Sequence, residues 1–460
     1  MRGIHLKNFR LLGIKGFEDT GFIDIKPITI IIGKNSSGKS SILRFPLVLR
    51  QTFLDAAMAP LLFYGKSIDY GNYEDVIFNH DKSKPIEFYI TIDSSELQNI
   101  RGPGFFKENF KNNNQLTIRV VISQDNKTLK VNEFSVSNEK QELLSCKQAD
   151  NTIIIESGGK KYNASHGELV FNKFIPDFRM FRVLDNKHKN IDMEQVYDIL
   201  FALDYYFNLM ANTIFYIGPF RKTPERFYRY TENAVQYVGS DGEFAPAILG
   251  QDLRTNGNLL RTVSDWLEKN LNFSLSVEEL RGDLFKILVK DRETNAQNNL
   301  IDVGHGLSQL IPIVVQTFMR NNHYLNRNHR ERFLEKLNII EQPELHLHPA
   351  AQASLANLFV EAIKSNSNNC FLIETHSEHL LLRLRRYIVE EYISPNDVAI
   401  YYTEKVPNYS GLKVHKLEID LDGKINGWPE GFFSDDYHEV LELQKAVNKR
   451  IKKSGGPSLW

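Results

Sequence analysis

Eight consecutive residues, Gly33-Lys34-Asn35-Ser36-Ser37-Gly38-Lys39-Ser40, have the types and spacing to hold a chain of phosphates. They fit G-x-x-x-x-G-K-[ST], in which two glycines let the backbone turn until successive N–H groups face the anion. Lys39 brings a point charge to the β- and γ-phosphates, and the Ser40 hydroxyl can ligate Mg²⁺. Ser41 follows in a helix whose positive end adds to the same attraction. The pattern implies a nucleoside triphosphate, without saying what its binding is for.

A second set of chemical residues lies far downstream. Leu337-Asn338-Ile339-Ile340 is an apolar run ending in Glu341, an acid placed to hold Mg²⁺ through water. The chain continues Gln342-Pro343-Glu344-Leu345-His346-Leu347-His348-Pro349. A further apolar run at 370–373 leads into Glu374-Thr375-His376-Ser377, which sets His376 at a strand end, where open α/β sheets bind ligands. His346 and His348 alternate and could ligate a transition metal. No cysteine or third histidine lies nearby in sequence to complete such a set, so a packed, hydrogen-bonded turn is preferred. Upstream, in Gly304-His305-Gly306-Leu307-Ser308-Gln309, Ser308 reads as a helix N-cap with Pro312 in the first turn. Leu310, Ile311, Val314, Val315 and Phe318 form the buried face of that helix. A glycine-flanked helix start carrying a serine is a second place for an anion.

These residues need a sheet to hold them. The β-branched run at 28–32 suits a central parallel strand, and alternation at 86–92 and 116–122 suits half-buried strands. Helical spacing follows the loop to about residue 59 and recurs at 193–210, at 259–271 and behind Pro349. Three zones result. Residues 1–125 form an N-terminal lobe with the phosphate loop, and 126–280 an inserted α+β middle region. Residues 281–460 form a C-terminal lobe with Ser308, Glu341 and His376. The outer zones each carry half of a site, so the chain is expected to fold back and join them in one α/β sheet. No internal repeat or sustained heptad pattern is present, so no long coiled coil is expected.

The chain has 460 residues, 42% hydrophobic and 25% charged, enough for a sizeable core. Net charge is −1, so nothing global draws it to nucleic acid or membrane. Two cysteines, Cys146 and Cys370, are too few for a disulfide framework, and the first ten residues do not read as a secretory signal. A cytoplasmic protein is expected, with no membrane segment. Arg221, Arg226 and Arg229 alternate with aromatics at 215–230. That interleaving can bind nucleic acid, but loop packing with arginine–acid pairing is favoured. Arg383, Arg385, Arg386 and the basic run 449–453 read as solvated faces. Asp420-Leu421-Asp422-Gly423 reads as a hairpin turn rather than a metal dyad.

The ordered set of phosphate loop, GxGxSQ, acid plus PExHLHP, and THS resembles the ABC-type ATPases of the SMC, RecF and OLD class. The resemblance covers both outer zones. It implies a head with a mixed sheet and flanking helices that dimerises around two ATP molecules and Mg²⁺. Each ATP would touch the phosphate loop of one copy and Ser308 of the other, with Gly306 and Gln309 beside it. Glu341 maps to the Mg²⁺-side acid, His348 to the dimer-spanning loop and His376 to the γ-phosphate sensor. Asn8-Phe9-Arg10 looks like the first strand of the class and makes Arg10 a candidate phosphate contact. The lid glutamine has no clear counterpart beyond Gln51.

Where the class carries a general-base glutamate, this chain has Gln342. An amide orients water but does not take its proton, so hydrolysis is expected to be slow and ATP to act chiefly as dimer glue. Compensation by His376 or Glu344, and an engineered ATP-trapping substitution, are the other readings of Gln342. The segments FYIGPFRKTPERFYRY, VGSDGE and GWPEGFF resemble a compact branch common in bacterial anti-phage defence, most like the ATPase subunit of PARIS, then that of Septu. That resemblance implies a homo-oligomer holding a separate toprim- or HNH-type nuclease, freed when a phage-encoded trigger is sensed. A RecF-like DNA-maintenance ATPase binding duplex DNA directly is the alternative.

Overall fold

The computed structural model describes residues 6–56, 59–93, 115–149, 152–165, 169–177, 193–232, 235–319, 336–406 and 409–427. At the centre is a seven-stranded sheet in the order Ile214–Ile217, Lys336–Glu341, Asn369–Glu374, Ile28–Gly33, Val398–Lys405, Leu412–Ile419, Ile425–Asn426. The first five strands run parallel and the last two antiparallel. Every residue of Ile28–Gly33, Lys336–Glu341 and Asn369–Glu374 is buried, which is why these strands read as continuous apolar runs rather than alternating ones. Helix Pro349–Ser365 makes the crossover between the second and third of these strands, and Glu378–Val389 the crossover to Val398–Lys405.

Both faces of this sheet are covered. Along Ile28–Gly33, Ile31 points into one core and Ile28, Ile30 and Ile32 into the other, as a period of two requires. The first core includes helix Phe45–Leu54, helix Met193–Ala211 and an eight-stranded antiparallel sheet running from Leu6–Ile14 and Phe17–Asp24 out to Lys160–Ser165. The second includes helices Ala245–Thr255, Asn258–Leu271, His305–Phe318, Pro349–Ser365 and Glu378–Val389. A small sheet built on the Phe273–Leu280/Leu284–Asp291 hairpin packs there as well.

The fold class is the expected one, and the outer zones do meet in one sheet, since Ile28–Gly33 lies between Asn369–Glu374 and Val398–Lys405. Among the described residues the longest helix is Met193–Ala211, with 19 residues. Both zone boundaries fall inside paired hairpins. Asp125 pairs with Thr128 across the turn near 125, and Leu280 pairs with Leu284 near 280. The antiparallel sheet therefore continues through 165, and the middle region also supplies a strand, Ile214–Ile217, to the central sheet. The Asp420–Gly423 segment is a hairpin turn, closed by the Asp420 N–H on the Lys424 carbonyl at 3.0 Å. Most of GWPEGFF and all of 449–453 lie outside the described residues.

Candidate nucleotide-binding site

The phosphate loop leaves the sheet at Gly33 and enters helix Lys39–Leu43. Both motif glycines are required by space as well as by conformation. Gly33 has φ 153, and a Cβ there would lie 2.4 Å from the Thr403 carbonyl oxygen. Gly38 has φ 84, and its Cβ would come within 2.7 Å of the Phe17 ring. Ser37 Oγ is 2.6 Å from Thr403 Oγ1, tying the loop to the neighbouring strand. Lys34, Asn35 and Ser36 are exposed. Lys39 is only 4% exposed, and its ammonium donates to the carbonyls of Gly33 at 3.0 Å and Lys34 at 2.9 Å. Burial lowers its pKa, and the nearby Glu374 carboxylate works against that shift. The loop borders a cavity of about 740 Å³, lined also by Ser40, Ser41, Gln342 and Glu374.

Two acids end neighbouring parallel strands in register, Glu341 opposite Glu374. Glu374 Oε2 accepts from Ser40 Oγ at 2.7 Å, and Glu374 Oε1 lies 3.9 Å from Lys39 Nζ. Burial pushes the Glu374 carboxyl up, against the Ser40 hydrogen bond. Glu341 faces elsewhere. It accepts from Arg44 Nε at 2.5 Å, Arg44 Nη2 at 2.7 Å and the Tyr216 hydroxyl at 2.8 Å. That pairing raises the Arg44 pKa, while burial and then the Glu341 charge raise that of Tyr216. Gln342 adopts φ 43 and donates its N–H to the Glu374 carbonyl at 2.8 Å.

His376 follows on the same edge. Its Nε2 is buried without a hydrogen-bond partner, and burial first, then the charge of Lys39, lower its pKa. A neutral imidazole with one uncommitted ring nitrogen suits hydrogen bonding to a phosphate oxygen. The turn is fixed by Glu344, which accepts from the His376 N–H at 2.6 Å and from Thr375 Oγ1 at 2.8 Å. Burial pushes the Glu344 carboxyl up. Each Glu344 oxygen thus accepts one hydrogen bond within this turn and holds the main chain that carries His376.

The GxGxSQ segment is assembled differently from the expectation. Helix His305–Phe318 is capped by Gly304, so Ser308 is its fourth residue and Pro312 lies in its interior. The earlier start lets the first turn pack on the loop after Glu341; a Cβ on Gly306 would sit 2.6 Å from the His346 carbonyl oxygen. Ser308 is 4% exposed and donates to the His305 carbonyl at 2.9 Å. Gln309 is turned inward, its amide bonded to the main chain of Arg221 at 3.3 and 3.4 Å. Gly304 and His305 keep the helix start open to solvent. His348 is exposed and caps helix Pro349–Ser365, its Nδ1 accepting from the Ala350 N–H at 3.4 Å.

Two candidates are not brought to the loop. Arg10 lies in the antiparallel sheet, where Asp19 binds its guanidinium at 2.9 and 2.5 Å and raises its pKa. Gln51 is 1% exposed, with its amide bonded to the main chain of Leu62 and Ile68. Among the described residues no cluster of three or more His, Cys, Asp or Glu could hold a metal. Mg²⁺ takes one or two carboxylates plus phosphate oxygens and water, and Ser40 Oγ and Glu374 Oε2, 2.7 Å apart, are hard oxygens of that kind.

A family model described as AAA ATPase domain matches residues 1–381. The chain belongs to the AAA ATPase domain family. In this AAA ATPase a second model, described as a protein of unknown function (DUF3696), matches residues 393–443. No curated protein matches it. Among solved structures it is similar to the SMC head domain from Thermotoga maritima, at 11% identity over 91% of this chain and 100% of that one, with a TM-score of 0.39. It is also similar to an Smc head domain with an extended coiled coil, bound to the C-terminal domain of ScpA and derived from Pyrococcus furiosus. There the identity is 13% over 96% of this chain and 100% of that one, with a TM-score of 0.43. No described helix of the AAA ATPase is long and apolar enough to cross a membrane.

Sequence reasoning missed three groups at the site of this AAA ATPase. Arg44 stands four residues after Ser40, on the same helix face, and that spacing was its only signal. Glu374 was signalled by its place at a strand end. Arg221 was weighed for nucleic acid, yet it is 6% exposed and donates to the carbonyls of Glu341 at 2.8 Å and Gln342 at 3.1 Å. Burial pushes its pKa down to about 10. Arg226 pairs with Asp302 at 2.7 Å. Arg221→Met leaves two buried carbonyls without their charged donor, at a cost of about 2–3 kcal/mol. The expected result is a clearly lowered urea midpoint; an unchanged midpoint contradicts the assigned role.

Proposed function

We propose that this AAA ATPase binds Mg²⁺-ATP between two copies of the chain and uses that state to hold and release a partner effector. The observation that carries the reading is the convergence of Lys39, Ser40, Glu374, Gln342 and His376 on one sheet edge beside a nucleotide-sized cavity. Lys39 grips the β/γ-phosphates, Ser40 with a strand-end acid holds the cation, and His376 meets the γ-phosphate. Gly33, Lys34, Asn35, Ser36, Ser37, Gly38 and Ser41 supply the main-chain cradle. The exposed start of helix His305–Phe318, carrying Gly306 and Ser308, faces the γ-phosphate of the partner molecule, with His348 on the dimer-spanning loop. Gln309 shapes that turn through Arg221 instead of touching ATP. Magnesium supplies charge neutralisation at the transferring phosphoryl group.

Turnover is slow, because Gln342 orients water without taking its proton. The effector is a toprim- or HNH-type nuclease on a separate chain, released on sensing a phage-encoded trigger in the bacterial cytoplasm. Support for this last part is the resemblance of the motif wording to the PARIS-type branch. The burial of Arg221 and the pairing of Arg226 remove two groups that direct DNA binding would have used. Sedimentation with and without Mg²⁺-ATP tests the dimer: twice the chain mass is expected with ATP, and one chain mass at saturating ATP rejects it. Purification from the native cells tests the effector, and recovery of no nuclease in the ATP-bound state rejects that part.

A further inference from the structure

The acid that touches the metal-binding serine is not the acid that the motif designates. Ser40 Oγ donates to Glu374 Oε2 at 2.7 Å, and Glu374 lines the cavity beside the phosphate loop. Glu341 is one strand further from the loop and is not among the residues lining that cavity. Both of its oxygens are occupied, by the bidentate Arg44 guanidinium and by the Tyr216 hydroxyl. A bidentate arginine pair is among the stronger side-chain contacts, and in a site this buried it fixes the carboxylate's orientation and neutralises its charge.

We propose that Glu374, rather than Glu341, is the carboxylate that fixes the divalent cation together with Ser40. The inference rests on the nucleotide-binding role of the loop proposed above. A serine hydroxyl that donates its proton to a carboxylate leaves its lone pairs free for a cation, so Glu374 orients the ligand and adds negative charge at the same point. Both groups offer hard oxygens, and no soft donor joins them, which selects Mg²⁺ or Mn²⁺ over zinc. Glu341, held by Arg44, then braces the helix that carries Ser40 against the central sheet.

The test uses the full chain and two readouts other than turnover. One is the affinity for a fluorescent ATP analogue with Mg²⁺ and with EDTA. The other is Mn²⁺ affinity, measured by paramagnetic resonance with a non-hydrolysable ATP analogue present. Glu374→Gln is expected to weaken Mn²⁺ binding at least about tenfold, as loss of a group that orients a metal ligand typically does. The same variant is expected to leave nucleotide affinity in EDTA nearly unchanged. Glu341→Gln is expected to leave Mn²⁺ affinity near that of the unaltered chain. If Glu341→Gln loses the metal while Glu374→Gln keeps it, the proposal is overturned. Should Glu374→Gln not fold, Glu374→Asp serves: it keeps the charge but shortens the reach, so weakened Mn²⁺ binding supports the proposal and full retention overturns it. A chain that binds no nucleotide under either condition rejects the ATP reading itself. A chain that binds nucleotide and keeps its full Mg²⁺ dependence in Glu374→Gln rejects only the present inference.

Discussion

Lys39→Ala is expected to weaken ATP binding about a hundredfold while leaving the fold intact. The ammonium is the one cation of the phosphate loop that is almost fully buried, and it reaches the carbonyls of Gly33 and Lys34 at about the distance a phosphate oxygen would take. A charge-assisted hydrogen bond contributes about 1.5–3 kcal/mol, and each 1.4 kcal/mol is tenfold in affinity. Two such contacts to a triphosphate give an effect of the stated size. Calorimetry with ATP checks it, alongside thermal unfolding to confirm that the variant folds. Unchanged affinity would mean that the loop is not the binding site.

Gln342→Glu is expected to raise ATP turnover on the order of a hundredfold, the lower part of the range for general-base assistance. Gln342 lines the same cavity as Ser40 and Glu374, so a carboxylate there meets the phosphate end of the site. Glu374 lines that cavity as well, and a like charge beside it raises the pKa of an added carboxyl toward the value a base needs near neutral pH. The measurement is phosphate release under saturating Mg²⁺-ATP, with ATP affinity followed in parallel. A rate equal to that of the unaltered chain would show that Gln342 is not the bottleneck and that the glue reading is wrong.

The central strand and its loop were legible because their signals are local. Five β-branched residues lead into two glycines, and the structure shows that the glycines are demanded by left-handed or crowded backbone next to Thr403, Leu412 and Phe17. The helices at 193–211 and 258–271 were legible for the same reason, through spacing on one face. The antiparallel strands beyond 125 were not. In Thr128–Ser137 a shift of register puts Asn132 and Glu133 in succession between the inward Val131 and Phe134, so the period of two is broken and reads as irregular. The partnership of the acids was also hidden. Which carboxylate meets Ser40 depends on strand order, and it is the sheet that puts Asn369–Glu374 between the loop strand and Lys336–Glu341. Gln309 shows the same limit: its position in the motif suggests a ligand contact, whereas its amide spans to Arg221 across 88 residues of chain.

The account centres on a site shared between two chains, and mixing two inactive variants tests it most directly. Lys39→Ala removes the phosphate grip, and Gly304→Trp, at an exposed position with open space around a Cβ, blocks the face offered to the partner. In a two-fold sandwich, a mixed dimer keeps one site with both lesions and one with neither, so the mixture should recover about a quarter of the unaltered turnover. Recovery of that order, with each variant silent alone, is the predicted result. A mixture as inactive as its components, although both bind each other, contradicts the shared site.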